Sequence, residues 1–518
     1  MTPRSIFAVV RRPMALVALL ASFLAFSAQA HASKSQQSIV QDDRLLLSPG
    51  YNLQSAALDD LDALGVDIVH ADIAWAPLAP KPNSKSVPKA DLSDPKAYRA
   101  SRWSIIDELV IGAQARGMRV LLTPSTPGPV WATGKSCTKS ERKAASLPGS
   151  CRPNAQLYGK FVRALARRYN GRYKDSRMPR TLPLPRVDSW SFYNEPNLRS
   201  WLYPASVRSH GKFVPISARL YRNLVYAGGN ALKATGHGRD EVLLGETGPI
   251  GGGRSAIAPV PFYQALFCIN SKGGRLKGGT AKQLGCPRRI KRLPVTGVAH
   301  HTYTRATVGR LTANPGQGNI TIGAIPRLRR VLKQGVHVGA ISARASSHIH
   351  LTEFGVSSRP PSTPSKYGVS LAKQSEMINL AEYLGYLNSA VRSVTQYGIE
   401  DNNLAAGSHR GHLVFQTGLR FQATDRQSRL GRLGRAKPSR AAYRMPLLVI
   451  DRGSKVVVWG GVRTLKRAKV DVLNRGRLVK KVTLRSGYFS VALGKRKGNW
   501  QLRYRKLRSR VARPIKLR

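Results

Sequence analysis

The sequence predicts an α/β chain, a (β/α)8 barrel followed by a small antiparallel β-sandwich. Three observations predict it. Eight apolar, β-rich stretches alternate with helical patterns between Ser38 and Gln396, which favours a parallel barrel over a doubly wound sheet. Two of those stretches run into a glutamate at their carboxyl ends, Glu195 and Glu353, and that is the end where parallel α/β proteins do chemistry. Beyond Met445 the alternation gives way to short β-rich runs separated by turns such as Asn474-Arg475-Gly476, the pattern of a small antiparallel unit.

Taken in order, the chain opens with Arg4, Arg11 and Arg12 ahead of the apolar run Met14 to Phe26, then small-residue cleavage sites at Ala28-Gln29-Ala30 and Ala30-His31-Ala32. Residues 1–32 therefore read as a secretory signal peptide, too short to span a bilayer. No other stretch serves as a transmembrane helix, so the expected location is extracellular. Ser38 to Gln41 is a first strand, Ala56 to Leu64 a helix stopped by Gly65, and Val66 to Ile73 a buried second strand. Trp103, Ile106, Val110 and Ala113 recur at helical spacing before Gly117, and Met118 to Leu122 is strand three. A long insertion, 123–153, precedes a helix over 156–169 and strand four at Val187 to Phe192. Pro215 opens the next helix. Strands five to eight fall at 241–245, 295–300, 349–351 and 391–396, with helices near 322–334 and 369–388. The barrel is placed at 33–445 and the sandwich at 446–518.

The composition adds two constraints. Four cysteines in an oxidising compartment pair most simply as Cys137–Cys151 and Cys268–Cys286, one of three connectivities. Each bridge closes a loop of roughly 15 to 19 residues, on the order of 3 kcal/mol in the chain-entropy picture. Zinc is the rival reading, without the close Cys-x-x-Cys spacing it favours. The net charge is +59 at pH 7, which invites a polyanionic partner. No nucleic-acid module motif accompanies it. From residue 451 onward there are 22 Lys or Arg against two Asp. That end either binds an acidic cell-wall polymer or caps the barrel, with capping favoured. Oligomeric state is not legible.

Pro196 has no N–H to donate, so it ends the strand-four ladder and presents Glu195 at the tip. Two carboxylates on strand tips are what glycosidic cleavage needs. The run Trp190-Ser191-Phe192-Tyr193-Asn194-Glu195-Pro196-Asn197, followed by Thr352-Glu353-Phe354-Gly355, resembles the clan A glycoside hydrolases, the cellulase-like TIM barrels, over residues 35–445. The resemblance supplies barrel closure and implies a retaining enzyme acting on a poly- or oligosaccharide. It implies Glu195 as acid/base, Glu353 as nucleophile, and Asn194 as the contact to the sugar 2-hydroxyl. It implies further that Tyr303 supports the nucleophile and that His301 contacts substrate or the acid.

Other candidates come from position alone. Glu246, on the tip of strand five, is a third carboxylate for sugar hydroxyls or for tuning the acid, and a rival to Glu353. Trp75 and Trp131 follow strands two and three, where indole faces stack on sugars or simply pack. Two departures from the clan stand out: His70 where many members carry Arg, and Tyr397 where many carry Trp. No metal or organic cofactor is implied, since His300-His301 has no partner cluster in the sequence. A non-catalytic wall-binding protein on a glycosidase scaffold is the competing reading, and transglycosylation uses the same residues.

Overall fold

The computed structural model describes residues 36–177, 182–209, 211–304, 310–361, 368–402 and 415–517. The expected signal segment lies outside the described residues. Eight parallel strands close a barrel: β1 Gln37–Gln41, β2 Ile68–Ala74, β3 Arg119–Ser125, β4 Ser189–Ser191, β5 Glu241–Thr247, β6 Gly297–His301, β7 Ile349–Glu353 and β8 Val391–Tyr397. Neighbours in sequence are neighbours in the sheet, and β8 pairs back on β1 with Gln37 opposite Ser393. Each strand is buried on both faces, so its residues read as apolar runs rather than alternating ones. One face fills the barrel with Ile39, Ile68, Leu121, Leu243 and Ala299. The other meets the helices.

Those helices are α1 Tyr51–Leu64, α2 Ala100–Ala115, α3 Ala155–Arg168, α4 Ile216–Ala234, α5 Pro259–Leu266, α6 Ile325–His337, α7 Leu371–Tyr386 and α8 Pro438–Arg444. In α3 the spacing of Tyr158, Phe161, Val162 and Leu165 makes one apolar face, and all four are buried. Burying each such side chain stabilises by about 1.5–3 kcal/mol. Asn154 starts that helix by accepting from the amides of Gln156 and Leu157, a cap worth about 1 kcal/mol. Helix α5 escaped the sequence reading because its eight residues, two of them proline, show no polar face. Several strands run two or three residues past their expected carboxyl ends, notably β3 to Ser125 and β7 to Glu353. Strand β4 is shorter than expected, since Tyr193 at φ 63° and Glu195 at φ 38° turn out of the ladder.

After α8 the chain forms two antiparallel sheets. The strands are β9 Leu447–Asp451, β10 Lys455–Gly461, β11 Lys469–Asn474, β12 Arg477–Thr483, β13 Tyr488–Gly494, β14 Trp500–Tyr504 and β15 Leu507–Arg508. One sheet runs β9-β10-β13, the other β12-β11-β14-β15. Val449, Val458, Val472, Trp500 and Leu502 belong to the core they share, which makes the unit a small β-sandwich. It packs on the barrel through α7. Arg463 meets both oxygens of Glu382 at 2.8 Å, the Tyr488 hydroxyl donates to Glu382, and Trp459 stacks on Tyr488 with centroids 5.6 Å apart. Gly65, at φ 74°, lies so close to the sandwich that a Cβ there would meet the Thr464 amide nitrogen at 2.7 Å. Both expected disulfides are formed, Cys137–Cys151 and Cys268–Cys286. Among the described residues no helix is long and apolar enough to cross a membrane.

Candidate active site

The carboxyl ends of β4, β5, β6 and β7 converge on one cluster. Beyond β4, the Glu195 amide donates to the Glu246 carbonyl at 3.0 Å. Asn197 then pins the turn, its amide donating to the carbonyls of Gly248 and Ile257 and its oxygen accepting from the Gly248 amide. On β5 the register shifts between Gly245 and Thr247, leaving Glu246 as an extra residue. Such a bulge re-aims a side chain. It needs glycine at position 245, where φ is 121° and a Cβ would fall 2.1 Å from the Ala299 carbonyl oxygen. A second shift between β6 and β7 sets His301 opposite Glu353.

These backbone irregularities gather three glutamates around one imidazole. His301 Nδ1 is 3.1 Å from Glu195 Oε1 and 3.4 Å from Glu353 Oε2. On the other side of the ring, Nε2 is 3.7 Å from Glu246 Oε2. The Tyr303 hydroxyl donates to Glu353 Oε2 at 3.1 Å, and the Trp201 indole N–H donates to Glu195 Oε2 at 3.1 Å. Asn194 is buried, its amide N–H bonded to Ser125 Oγ at 2.9 Å, while its side-chain oxygen has no protein partner. Below the pair, Thr123 donates to Glu246 Oε1 at 2.9 Å and His70 Nε2 lies 3.3 Å from the same oxygen.

Burial and crowding set the charges. Burial lifts Glu353 to about 7; His301 pulls it down, and the charges of Glu195 and Glu246 push it further up. Burial would raise Glu246 too, but His70 and His301 outweigh that and hold it below the usual carboxylate range. Asp72 is raised well above its ordinary value by burial and by Asp43, Glu246 and Glu353. Asp43 itself is lifted to about 6, burial again being the first cause. The adjacent histidines part company. Burial pushes His300 down to about 3, whereas the three glutamates push His301 well up against its burial.

No protein-family model matches the chain, and no curated protein matches it. Among solved structures it is similar to a glucosidase from Croceicoccus marinus, at 10% identity over 90% of this chain and 94% of that one, with a TM-score of 0.48. A beta-glucosidase from Pyrococcus furiosus gives 13% identity over 80% and 95%, with a TM-score of 0.45. The endo-beta-1,4-mannanase from Thermotoga petrophila gives 11% identity over 94% and 99%, with a TM-score of 0.38. Function is therefore read from the site's own geometry.

That geometry brings Glu195, Glu353, His301 and Tyr303 together, with Asn194 buried one residue before Glu195. Four further candidates are placed by their packing. Glu246 does not line the open mouth; the bulge turns it under His301, where it has no exposed surface. Trp75 and Trp131 are each 3% exposed and pack edge to face, with Phe161 stacked on Trp75. Of the two readings, stacking on sugar or packing, they take the second. Tyr397 is half-buried and leans on Tyr303, with centroids 6.2 Å apart. Sequence reasoning missed Trp201 and Asp43. Trp201 comes six residues after Glu195 in an irregular loop, where no periodicity marks it.

His70, Asp72 and Glu246 each bring a donor atom within 4.8 Å of the others, a spacing that also suits a metal ion. His70 and Glu246 are already tied to Thr123, which lies 2.9 Å from both His70 Nε2 and Glu246 Oε1, while Asp72 Oδ1 lies 3.6 Å from His70 Nε2. Cys137 and Cys151, near Glu141, are spent on each other.

Proposed function

We propose that the chain is a secreted, retaining β-glycoside hydrolase acting on a poly- or oligosaccharide. One observation carries the reading: Glu195 and Glu353 share a single imidazole nitrogen, at 3.1 and 3.4 Å. Their nearest oxygens can be no farther apart than those two distances laid end to end. That limit accommodates the about 5–5.5 Å separation of retaining pairs. Glu195 protonates the glycosidic oxygen while Glu353 attacks the anomeric carbon. Glu195 then takes a proton from water, which releases the glycosyl-enzyme. Tyr303 holds the nucleophile's oxygen, and Asn194 offers its free side-chain oxygen to a sugar hydroxyl. Between the loops after β5 and β6 a hollow of about 600 Å³, lined by Asn314, Asn319, Arg310 and Thr304, leaves room for further sugar units. Two disulfides and the N-terminal sequence support secretion.

The test is hydrolysis of a panel of α- and β-aryl glycosides and of plant and microbial polysaccharides. Product anomers are followed by NMR, and a fluorinated glycoside is used to trap the intermediate. Retention, with the label on Glu353, supports the reading. An inverted product, or a label on Glu246, overturns the assignment of roles.

The sandwich supports a second reading alongside the first, attachment to an acidic wall polymer. A hollow of about 550 Å³ there is lined by Lys495, Arg496, Lys497 and Arg513, with Asp451 the only carboxylate. Four converging cations favour a polyanion, and such binding weakens with salt. Retention on purified wall that 0.5 M salt, as an order-of-magnitude choice, fails to reduce would count against it. Wall binding without sugar release from any substrate would make the non-catalytic binder the better account.

A further inference from the structure

The bulge on β5 leaves Glu246 with no route to a sugar. Its Oε1 is taken by Thr123 and His70. Its Oε2 and His301 Nε2 are both buried without a hydrogen-bond partner, and they face each other at 3.7 Å. We propose that Glu246 is a positioning residue, whose buried charge keeps His301 doubly protonated and turned so that one Nδ1–H serves Glu195 and Glu353 together.

Two comparisons within the site carry this. The first is between adjacent histidines. His300 and His301 are equally buried, and burial favours the neutral ring. His300 faces only the Thr247 hydroxyl and the Ile320 carbonyl, each at 2.9 Å, and stays neutral. His301 faces Glu195 from the loop after β4, Glu246 from β5 and Glu353 from β7. His70 and Asp72 on β2 stand behind Glu246, and Tyr303 reaches His301 only through Glu353.

The second comparison is among the three glutamates. On the proposed mechanism, Glu195 gives up and regains a proton while Glu353 is neutralised by bonding to the sugar carbon. Glu246 takes part in neither step, so its charge alone is constant through the cycle. His70 and Thr123 in turn hold that charge in place from below.

The inference rests on the glycosidase reading only for its effect on rate. The protonation of His301 is a property of the resting protein and is measured without turnover. The full chain, with its 11 histidines isotope-labelled, is titrated by NMR, and His301 is assigned from the signal lost in His301→Gln. In Glu246→Gln the His301 midpoint is expected to fall by about 2 pH units, with kcat down about 30-fold and KM within about twofold. Glu246→Asp, which keeps the charge, should restore most of the midpoint. If the glutamine variant does not fold, His70→Gln provides a second test: with the group that holds the Glu246 charge gone, the His301 midpoint falls by about one unit.

A His301 midpoint that moves by less than about half a unit in these variants overturns the proposal. So does a Glu246→Gln enzyme that loses KM and keeps kcat, because that is the mark of a sugar contact. A protein that turns over no glycoside yet shows the shift would sink the proposed activity and leave this inference standing.

Discussion

Both ends of the barrel bury a histidine against a glutamate, and the two ends use the contact in opposite ways. At the amino end, Glu241 accepts from the Ser189 hydroxyl at 2.6 Å and lies 3.1 Å from His350 Nε2 and 3.5 Å from the Arg119 guanidinium. Three groups converge on one carboxylate. At the carboxyl end, one imidazole serves three carboxylates. The consequence is visible in the protons. Burial acts to raise both acids, but the partners of Glu241 bring it down to about 2, while Glu353 stays up at about 7. A glutamate outnumbered by its donors is a structural ion pair. One that outnumbers them is left reactive, and strain at Tyr193 and Glu195 accompanies it.

The contrast breaks most sharply on Glu353→Gln. Its kcat/KM on any accepted glycoside should fall by on the order of 10⁴-fold with the fold intact; a loss under tenfold would erase the distinction between the ends. Glu241→Gln should do the reverse, lowering stability by about 2 kcal/mol at pH 7 while leaving kcat/KM within about threefold. Because the folded-state pKa of Glu241 is depressed, its contribution is present above the unfolded value and is lost as pH falls through about 2. The stability gap between wild type and variant should therefore close in acid, and denaturant curves at several pH values would check it. Trp201→Phe removes the indole donor from Glu195 and should cost about tenfold in kcat/KM. An unchanged rate would make that hydrogen bond incidental.

The gentlest test changes no residue. On the proposed mechanism Glu353 is ionised when it attacks, and it is lifted to about 7, so kcat/KM should fall on the acid side with a midpoint near that value. A midpoint near 4.5, that of an ordinary glutamate, would remove the electrostatic difference between the ends.

Legibility followed the same physics. Strands buried on both faces announce themselves as unbroken runs, as in Val66 to Ile73, and Glu195 could be placed because Pro196 stops its strand. The short helix Pro259–Leu266 and the strand Leu447–Asp451 carry no polar alternation that would separate them from their surroundings. Glu246 is legible as a strand-tip residue but its turn beneath His301 is not, since a single bulged residue reverses direction without leaving a mark in the pattern. Nothing local links His350 to Glu241 either; the pair exists only through strand register.

The seam between barrel and sandwich bears on descent. A module tethered by a loose linker can be exchanged by recombination, because nothing on its host is shaped to receive it. Here the host is shaped. Glu382 on α7 is buried against Arg463 and Tyr488, and position 65 has no room for any side chain beside Thr464. A truncation after Met445 would remove both partners of that acid and open the face of α7 that Trp459 and Tyr488 cover. Any replacement of this tail therefore has to be refitted to the last turns of α7 and to the entrance to β2.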